Sequence, residues 1–543
     1  MNSFAISKLP HPEKQSRVLR VTALLLALLL TVSALCIGSF AADTPQSGVE
    51  IVTQDGRALL VNRCDGYRFL VPQDTVLDAS RAEAGISLSA KGWSMDVFRQ
   101  PTVSVGASAY ISYSKSFLSW NSVDHTEVSQ TVDDWNGSRV TVTAWRRPPL
   151  SRIKNDHACY TCVDLVGSGC VYTFLLRTDV PLAADEWQRY LDGLTFFAPS
   201  ACAPLVRIGG SNEKKDRETL ALYEKTFGEN AGFTWGFYLN RSLNDSTRLH
   251  EIEAALDHQF PFIMEYSMVH SSYTADEVRI PLENAWRDGK RLVMLTLQTR
   301  NLADGSSQVY DILDGQYDTF LRDYAKAVAK FSHPVLMRLC NEMNGDWCPY
   351  SAAQYSMDAS LYRALYSYIV SFFRDAGADN VLWVWNPNER SFPDFKWNSM
   401  ALYYPDEGCD LYGITGYNNG TYYRGEVWRS FSEIYDPIFA DAAKRCDCPM
   451  LITEFSCSDF GGDKAAWIRD MFTHLSDCPM LRAAVWWNGE DFDAAHGNCV
   501  AREYRIDHNP DYLRLFKNEL SPGPVLRLTL AVSKLARLAK QSR

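Results

Sequence analysis

Two glutamates close apolar runs in this 543-residue chain, and their surroundings define the chemistry to look for. Glu342 lies in Arg338-Leu339-Cys340-Asn341-Glu342-Met343-Asn344-Gly345-Asp346-Trp347, directly after the run VLMRL; Glu454 ends MLITE. A carboxylate at the end of a buried strand is costly unless it is hydrogen-bonded, paired or used. Two of them facing one cleft are what glycoside hydrolysis requires, one to protonate the leaving oxygen and one to attack or to activate water. Arg338 can hold a neighbouring carboxylate ionised, Asn341 can hydrogen-bond a sugar hydroxyl, and Trp347 and Trp486 offer flat faces to a pyranose ring. Glu265, in MEYSM, is a further strand-end carboxyl that could touch sugar or serve structure. Asp346 reads as a turn cap. Trp385, Trp428 and Trp487 divide between platforms and core, and His270, His333 and His496 stand isolated without ligand spacing.

Such residues need a scaffold that brings strand ends together. From 232 to 520, short apolar runs alternate with amphipathic segments: FTWGFYL, FPFIMEY, RLVMLTLQ, VLMRLCNE, VLWVWNP, LYGITGYN, MLITEF and AAVWWNG. In YDTFLRDYAKAVAKF, Phe320, Tyr324, Val328 and Phe331 share one helical face. Eight run-then-helix units predict an α/β fold, a (β/α)8 TIM barrel over 217–520, whose chemistry sits at the carboxyl ends of its strands. Glu342 and Glu454 then belong to strands four and seven, on opposite sides of the mouth.

Before the barrel, 49–203 is a smaller strand-rich α+β domain. Asp55-Gly56 and Asn136-Gly137 are tight-turn dipeptides between strand-like runs. DEWQRYLDGL reads as a helix and TFF as a closing strand. The opening YRFLVP and the ending LDGLTFF resemble the PsbP/Mog1-like fold. The polar stretch 204–216 reads as a linker, followed by a helix over RETLALYEKTF.

The termini carry addresses rather than fold. Lys8, Lys14, Arg17 and Arg20 precede the apolar run Val21 to Val32, and Ser39-Phe40-Ala41 supplies small residues at alternate positions. Residues 1–41 therefore read as a signal peptide, with an uncleaved single-pass anchor as the alternative. The expected location is secreted or cell-surface. Of 14 cysteines, Cys36 falls in that leader, so an odd number is left. Cys159-Tyr-Thr-Cys162 lies in a strand-like run, and buried thiols or one local disulfide are expected. The tail 521–543 places Leu528, Val532, Leu535 and Leu538 on one stripe, flanked by Arg527, Lys534, Arg537 and Lys540. It is a basic amphipathic helix that either docks on the protein or contacts an anionic membrane surface. A net charge of -11 argues against nucleic acid as a partner. Aromatic content of 13%, with 15 Trp, suits a sugar groove, but by itself it reads first as an ordinary large core.

RLCNEMNGDWCPY, LYGITGYNNG, MLITEF and AVWWNG resemble, in order and spacing, the motifs of glycoside hydrolase family 26. That family holds β-mannanases among the retaining barrel glycosidases. The resemblance implies Glu342 as acid/base and Glu454 as nucleophile. It implies Tyr417 as a hydrogen-bond donor to the nucleophile, Trp486 as the floor of the central subsite and Arg338 beneath Glu454. Asn341 stands where the mannanases carry His. Leu297-Gln298-Thr299 and Trp235-Gly236-Phe237 also depart from family histidine positions. β-Mannan is thus the first substrate expected, with β-glucan or xylan beside it.

The expectation is a retaining endo-β-glycanase acting on β-linked polysaccharide or oligosaccharide, using carboxylates and water and no cofactor. The carboxyl groups should then lie about 5–5.5 Å apart. A catalytically silent glycan-binding barrel at the cell surface is the other reading, although a binder has no need of paired carboxylates. A scaffold working through its N-terminal domain is a third.

Overall fold

The computed structural model describes residues 48–301 and 303–520. The leader 1–41 and the tail 521–543 lie outside the described residues.

Eight parallel strands close a barrel: β1 (Thr234–Tyr238), β2 (Phe262–Met268), β3 (Leu292–Gln298), β4 (Val335–Leu339), β5 (Val381–Trp385), β6 (Leu411–Asn418), β7 (Met450–Cys457) and β8 (Leu481–Trp487). Each neighbour pairs in sequence order, and β8 returns to β1. Helices cover the outside, including Asp318–Phe331, which buries Phe320, Tyr324 and Val328 as its periodicity requires. Arg217–Phe227 starts at Asp216, whose side chain accepts from the Thr219 N–H at 2.7 Å. The barrel interior is filled by Phe262, Met264, Leu292, Met294, Leu336, Leu382, Val384, Leu411, Leu451, Ala483 and Val485. Strand alternation sends the intervening residues to the helix layer.

β7 breaks that alternation. It runs in register with β6 up to Ile414 opposite Ile452, then skips one residue so that Thr415 opposes Glu454. Thr453 is the extra residue. Ile452 and Phe455 both pack in the outer layer, so Thr453 and Glu454 both turn inward between them. A bulge of this kind re-aims a side chain at a strand end.

The N-terminal region forms two antiparallel sheets. Four strands, Val49–Gln54, Arg57–Asn62, Tyr67–Val71 and Thr195–Phe196, make the smaller one. Seven strands, from Val76–Asp78 at one edge to Thr126–Trp135 at the other, make the larger. Asp55-Gly56 and Asn136-Gly137 are hairpin turns with positive φ at both residues, as type I′ geometry demands. The segment DEWQRYLDGL differs from its expected helix. It forms only a 3₁₀ turn over Glu186–Leu191, which buries Trp187 and Leu191 against the sheet.

This region shares its core with the barrel. Phe98, Tyr110, Phe117, Trp145 and Tyr160 fall in the same buried cluster as the barrel's helix layer. Arg177 pairs with the buried Asp358 at 2.7 Å, and Tyr160 donates to the same carboxylate at 3.0 Å. Arg177 holds Asp358 down to about 2, overriding the opposing effect of burial. The stretch 204–216 has little regular structure but is pinned. Ile208 bridges to Cys446, and the Val206 N–H donates to Glu83 at 2.7 Å. Every cysteine from Cys64 to Cys499 is a free thiol.

Candidate active site

Glu342 lies three residues beyond the end of β4. Cys340 and Glu342 both have positive φ, at 46° and 57°. Such conformations cost of order 1–3 kcal/mol for non-glycine residues and persist where the surroundings over-determine them. Here the Glu342 N–H donates to the Asn386 carbonyl at 2.8 Å, and Asn388 Nδ2 donates to Glu342 Oε1 at 2.6 Å. Asn344 braces that second loop, accepting from the Asn388 N–H at 2.8 Å. Burial, then the charge of Glu454, pushes the Glu342 carboxyl up to about 7, against the opposing pull of Asn388, Arg338 and Trp347. A group held there is protonated below neutrality and can donate a proton.

Glu454 has the opposite company. It is buried, and the fully buried Arg338 guanidinium forms an ion pair with Oε1. Tyr417 Oη donates to Oε2 at 3.0 Å. Arg338 is itself fixed by donating to Thr296 Oγ1 at 2.8 Å and to Asn386 Oδ1 at 2.9 Å, with its guanidinium over the Tyr266 ring at 5.7 Å. Arg338 and Tyr417 thus hold the Glu454 carboxyl from both of its oxygens.

Asn341 joins the two. Its Nδ2 lies 3.5 Å from Glu342 Oε2 and 3.4 Å from Glu454 Oε1. Gln298 Nε2 at 2.9 Å and Tyr350 Oη at 3.2 Å donate to its side-chain oxygen, which turns the amide NH2 towards the carboxylates. The sequence assigns no site role to Gln298, which stands only as a departure from a family histidine position, nor to Tyr350, Tyr266 or Asn388. Tyr266 alone carried a usable signal, because it shares the inward period of Met264 on β2.

Of the expected site residues, Glu342, Glu454, Arg338, Asn341, Tyr417 and Trp347 converge. Trp486 does not. It is fully buried among Phe455, Trp467 and Phe516 on the outer face of β8 and cannot floor a subsite. Trp487, one residue on, faces inward. It stacks on Tyr238 at 5.3 Å and meets Tyr417 and Tyr504 edge-on. Trp385 likewise packs outward, stacked on Tyr412. Glu265 alternates to the side of β2 opposite Met264 and Tyr266, and burial pushes its carboxyl up to about 7. Asp346 accepts from Tyr113 of the N-terminal region.

Residues 287–457 match the family model Glycosyl hydrolase family 26. The barrel is thus similar to glycosyl hydrolase family 26 over these residues. The family 26 match contains both glutamates. A 219-residue stretch, 39% of this chain, is 30% identical to Endoglucanase H of Acetivibrio thermocellus and covers 23% of that protein. A 95-residue stretch, 16% of the chain, is 33% identical to a mannan endo-1,4-beta-mannosidase of Bacillus subtilis strain 168 and covers 25% of it. The chain thus spans about a quarter of the length of these curated relatives. The structure of a family 26 β-mannanase from Bacteroides ovatus aligns with a TM-score of 0.43 at 16% identity, over 57% of this chain and 94% of that one.

Proposed function

We propose that this chain hydrolyses β-linked polysaccharide internally by double displacement, with retention of configuration. The observation that carries the reading is the pair of unlike carboxyls bridged by Asn341. Glu454, ion-paired and receiving Tyr417, attacks the anomeric carbon. The bond to the leaving oxygen breaks as Glu342 delivers its proton there. Glu342 then takes a proton from water, the resulting hydroxide attacks the glycosyl ester, and Glu454 departs as carboxylate. The two contacts of Asn341 Nδ2 cap the separation of the nearest carboxyl oxygens at their sum. That ceiling includes the retaining spacing of about 5–5.5 Å and only the lower edge of the inverting range of about 6.5–9.5 Å.

Mannan and β-glucan lead the substrates, since relatives named for each resemble this barrel; xylan follows. Reducing-sugar release from a panel of β-glycans tests the proposal. Glu342→Ala should lose about 10²–10⁴-fold on the active glycan. Glu454→Ala should lose turnover altogether, and activity persisting in it would overturn the assignment. No release from any β-glycan, with binding intact, would favour the silent glycan-binding reading instead.

The reading includes export, supported by the charged and then apolar leader, and contact of the basic tail with an anionic surface. Sequencing the mature N-terminus tests the first. Co-sedimentation with anionic liposomes, with and without residues 522–543, tests the second.

A further inference from the structure

We propose that Trp120 and Tyr113, on the N-terminal domain, extend the cleft as a distal sugar subsite on the leaving-group side, a reading that rests on the hydrolase function above. Two short helices carry them, α1 (Ala107–Tyr113) and α2 (Phe117–Trp120). They sit on the loop that follows β4, the loop that bears Glu342. Asn121 Nδ2 donates to the Gln354 carbonyl at 3.2 Å, and Gln354 Nε2 donates to the Asp346 carbonyl at 2.7 Å. Tyr113 Oη donates to the Asp346 carboxylate. Asp346 adjoins Trp347, and both lie on the same loop as Glu342.

A continuous path therefore runs from the acid/base through Trp347 and Asp346 to Tyr113 and Trp120. Because Glu342 protonates the leaving oxygen, this path follows the part of the glycan that departs first.

The exposure pattern fits a platform. Trp347 is 50% and Trp120 48% exposed, while the other aromatics of α1 and α2, Tyr110 and Phe117, are buried. Trp120 and Tyr113 meet at 5.6 Å with planes 85° apart. That edge-to-face contact covers at most one face of Trp120, whose side chain is half exposed. An aromatic face with polar groups beside it, here the Tyr113 hydroxyl and the Asp346 carboxylate, suits a pyranose, whose ring has an apolar C–H face and a rim of hydroxyls. The occupant is the same β-linked chain that is cut in the cleft. No residue of this subsite donates or accepts a proton in the reaction; its effect is on binding of long chains.

Trp120→Ala in the full chain should cost about 5–50-fold in kcat/KM on the preferred polysaccharide, carried by KM. On a short aryl β-glycoside, whose leaving group is one phenol, the rate should stay within twofold. Trp120→Phe, which keeps the contact with Tyr113 on a smaller platform, should fall between. Equal losses on both substrates would mean a structural role, and a polysaccharide loss under twofold would mean no subsite; either overturns the proposal. Affinity electrophoresis through the same glycans reads binding without turnover. A wild-type chain that is retarded but inactive would sink the hydrolase reading, and the subsite would then stand or fall on whether Trp120→Ala abolishes the retardation.

Discussion

Neutralising Glu454 should change the titration of Glu342, and the structure sets how far. The Glu342 carboxyl is held near 7 first by burial and second by the charge on Glu454. Two unit charges about 6 Å apart at an effective dielectric of about 20 interact by about 2.8 kcal/mol, or about two pKa units. Water in the open cleft lowers that to about one to two. In Glu454→Gln the amide keeps an acceptor for Tyr417 but loses the charge. Arg338 then loses its counter-charge and adds a pull in the same direction. The Glu342 carboxyl should therefore fall from about 7 to about 5–6. It should stay above the ordinary value of about 4.3, because burial persists. Side-chain carboxyl NMR of glutamate-labelled protein reads this directly, with a thermal melt to confirm that the variant folds. The glycosyl ester neutralises Glu454 in the same way, so the shift also measures how Glu342 becomes a base in the second half of the cycle. An unchanged Glu342 titration would refute the electrostatic coupling on which the two-role assignment depends.

Other expectations follow the same geometry. Glu342 must be protonated for the first step, so kcat/KM should fall as pH rises through about 7, and Asn388→Ala, which removes a donor to its charged form, should move that limb upward. Trp487→Ala should raise KM on the active glycan while the fold survives; Trp486→Ala should instead cost about 3–5 kcal/mol in urea unfolding, from the cavity it leaves. Asp358 is depressed in the folded state, so its stabilising contribution is complete above the unfolded value of about 3.9 and is lost as pH falls towards about 2. The urea midpoint should drop over that window in the wild-type protein and less steeply in Asp358→Asn.

The barrel and its reactive pair were legible because the signals are local. Apolar runs of strand length, each ended by a polar or aromatic residue, mark the mouth, and Glu342 and Glu454 stand at two such ends. What periodicity could not supply is the direction of a side chain. Counting alternately from the inward Leu451 sends Glu454 outward; only the extra residue at Thr453 turns it in. The same one-residue sensitivity explains Trp486, where adjacent tryptophans at a strand end differ only in which face each occupies. Gln298, Tyr350 and Asn388 were invisible for another reason. They act through Asn341 or Glu342 from the last residue of β3 and from the segments after β4 and β5, and nothing in their spacing marks them as a set. In the N-terminal region both I′ turns were readable from Asp-Gly and Asn-Gly. Its docking was not, although Arg177 inside the wholly buried strand Cys170–Thr178 is a charge that had to find a partner.

The common core of sheet and barrel limits how this protein can be rearranged. Tyr160 and Arg177 reach from one part to the start of the Ala359–Asp375 helix in the other, and Trp145 donates to Ser356 just before it. A cut near residue 204 would strand Asp358 without its counter-ion and open a wide apolar scar beside the loop that carries Glu342. Recombination that treats the two parts as interchangeable cassettes would thus inherit a damaged catalyst, and grafting must carry both together.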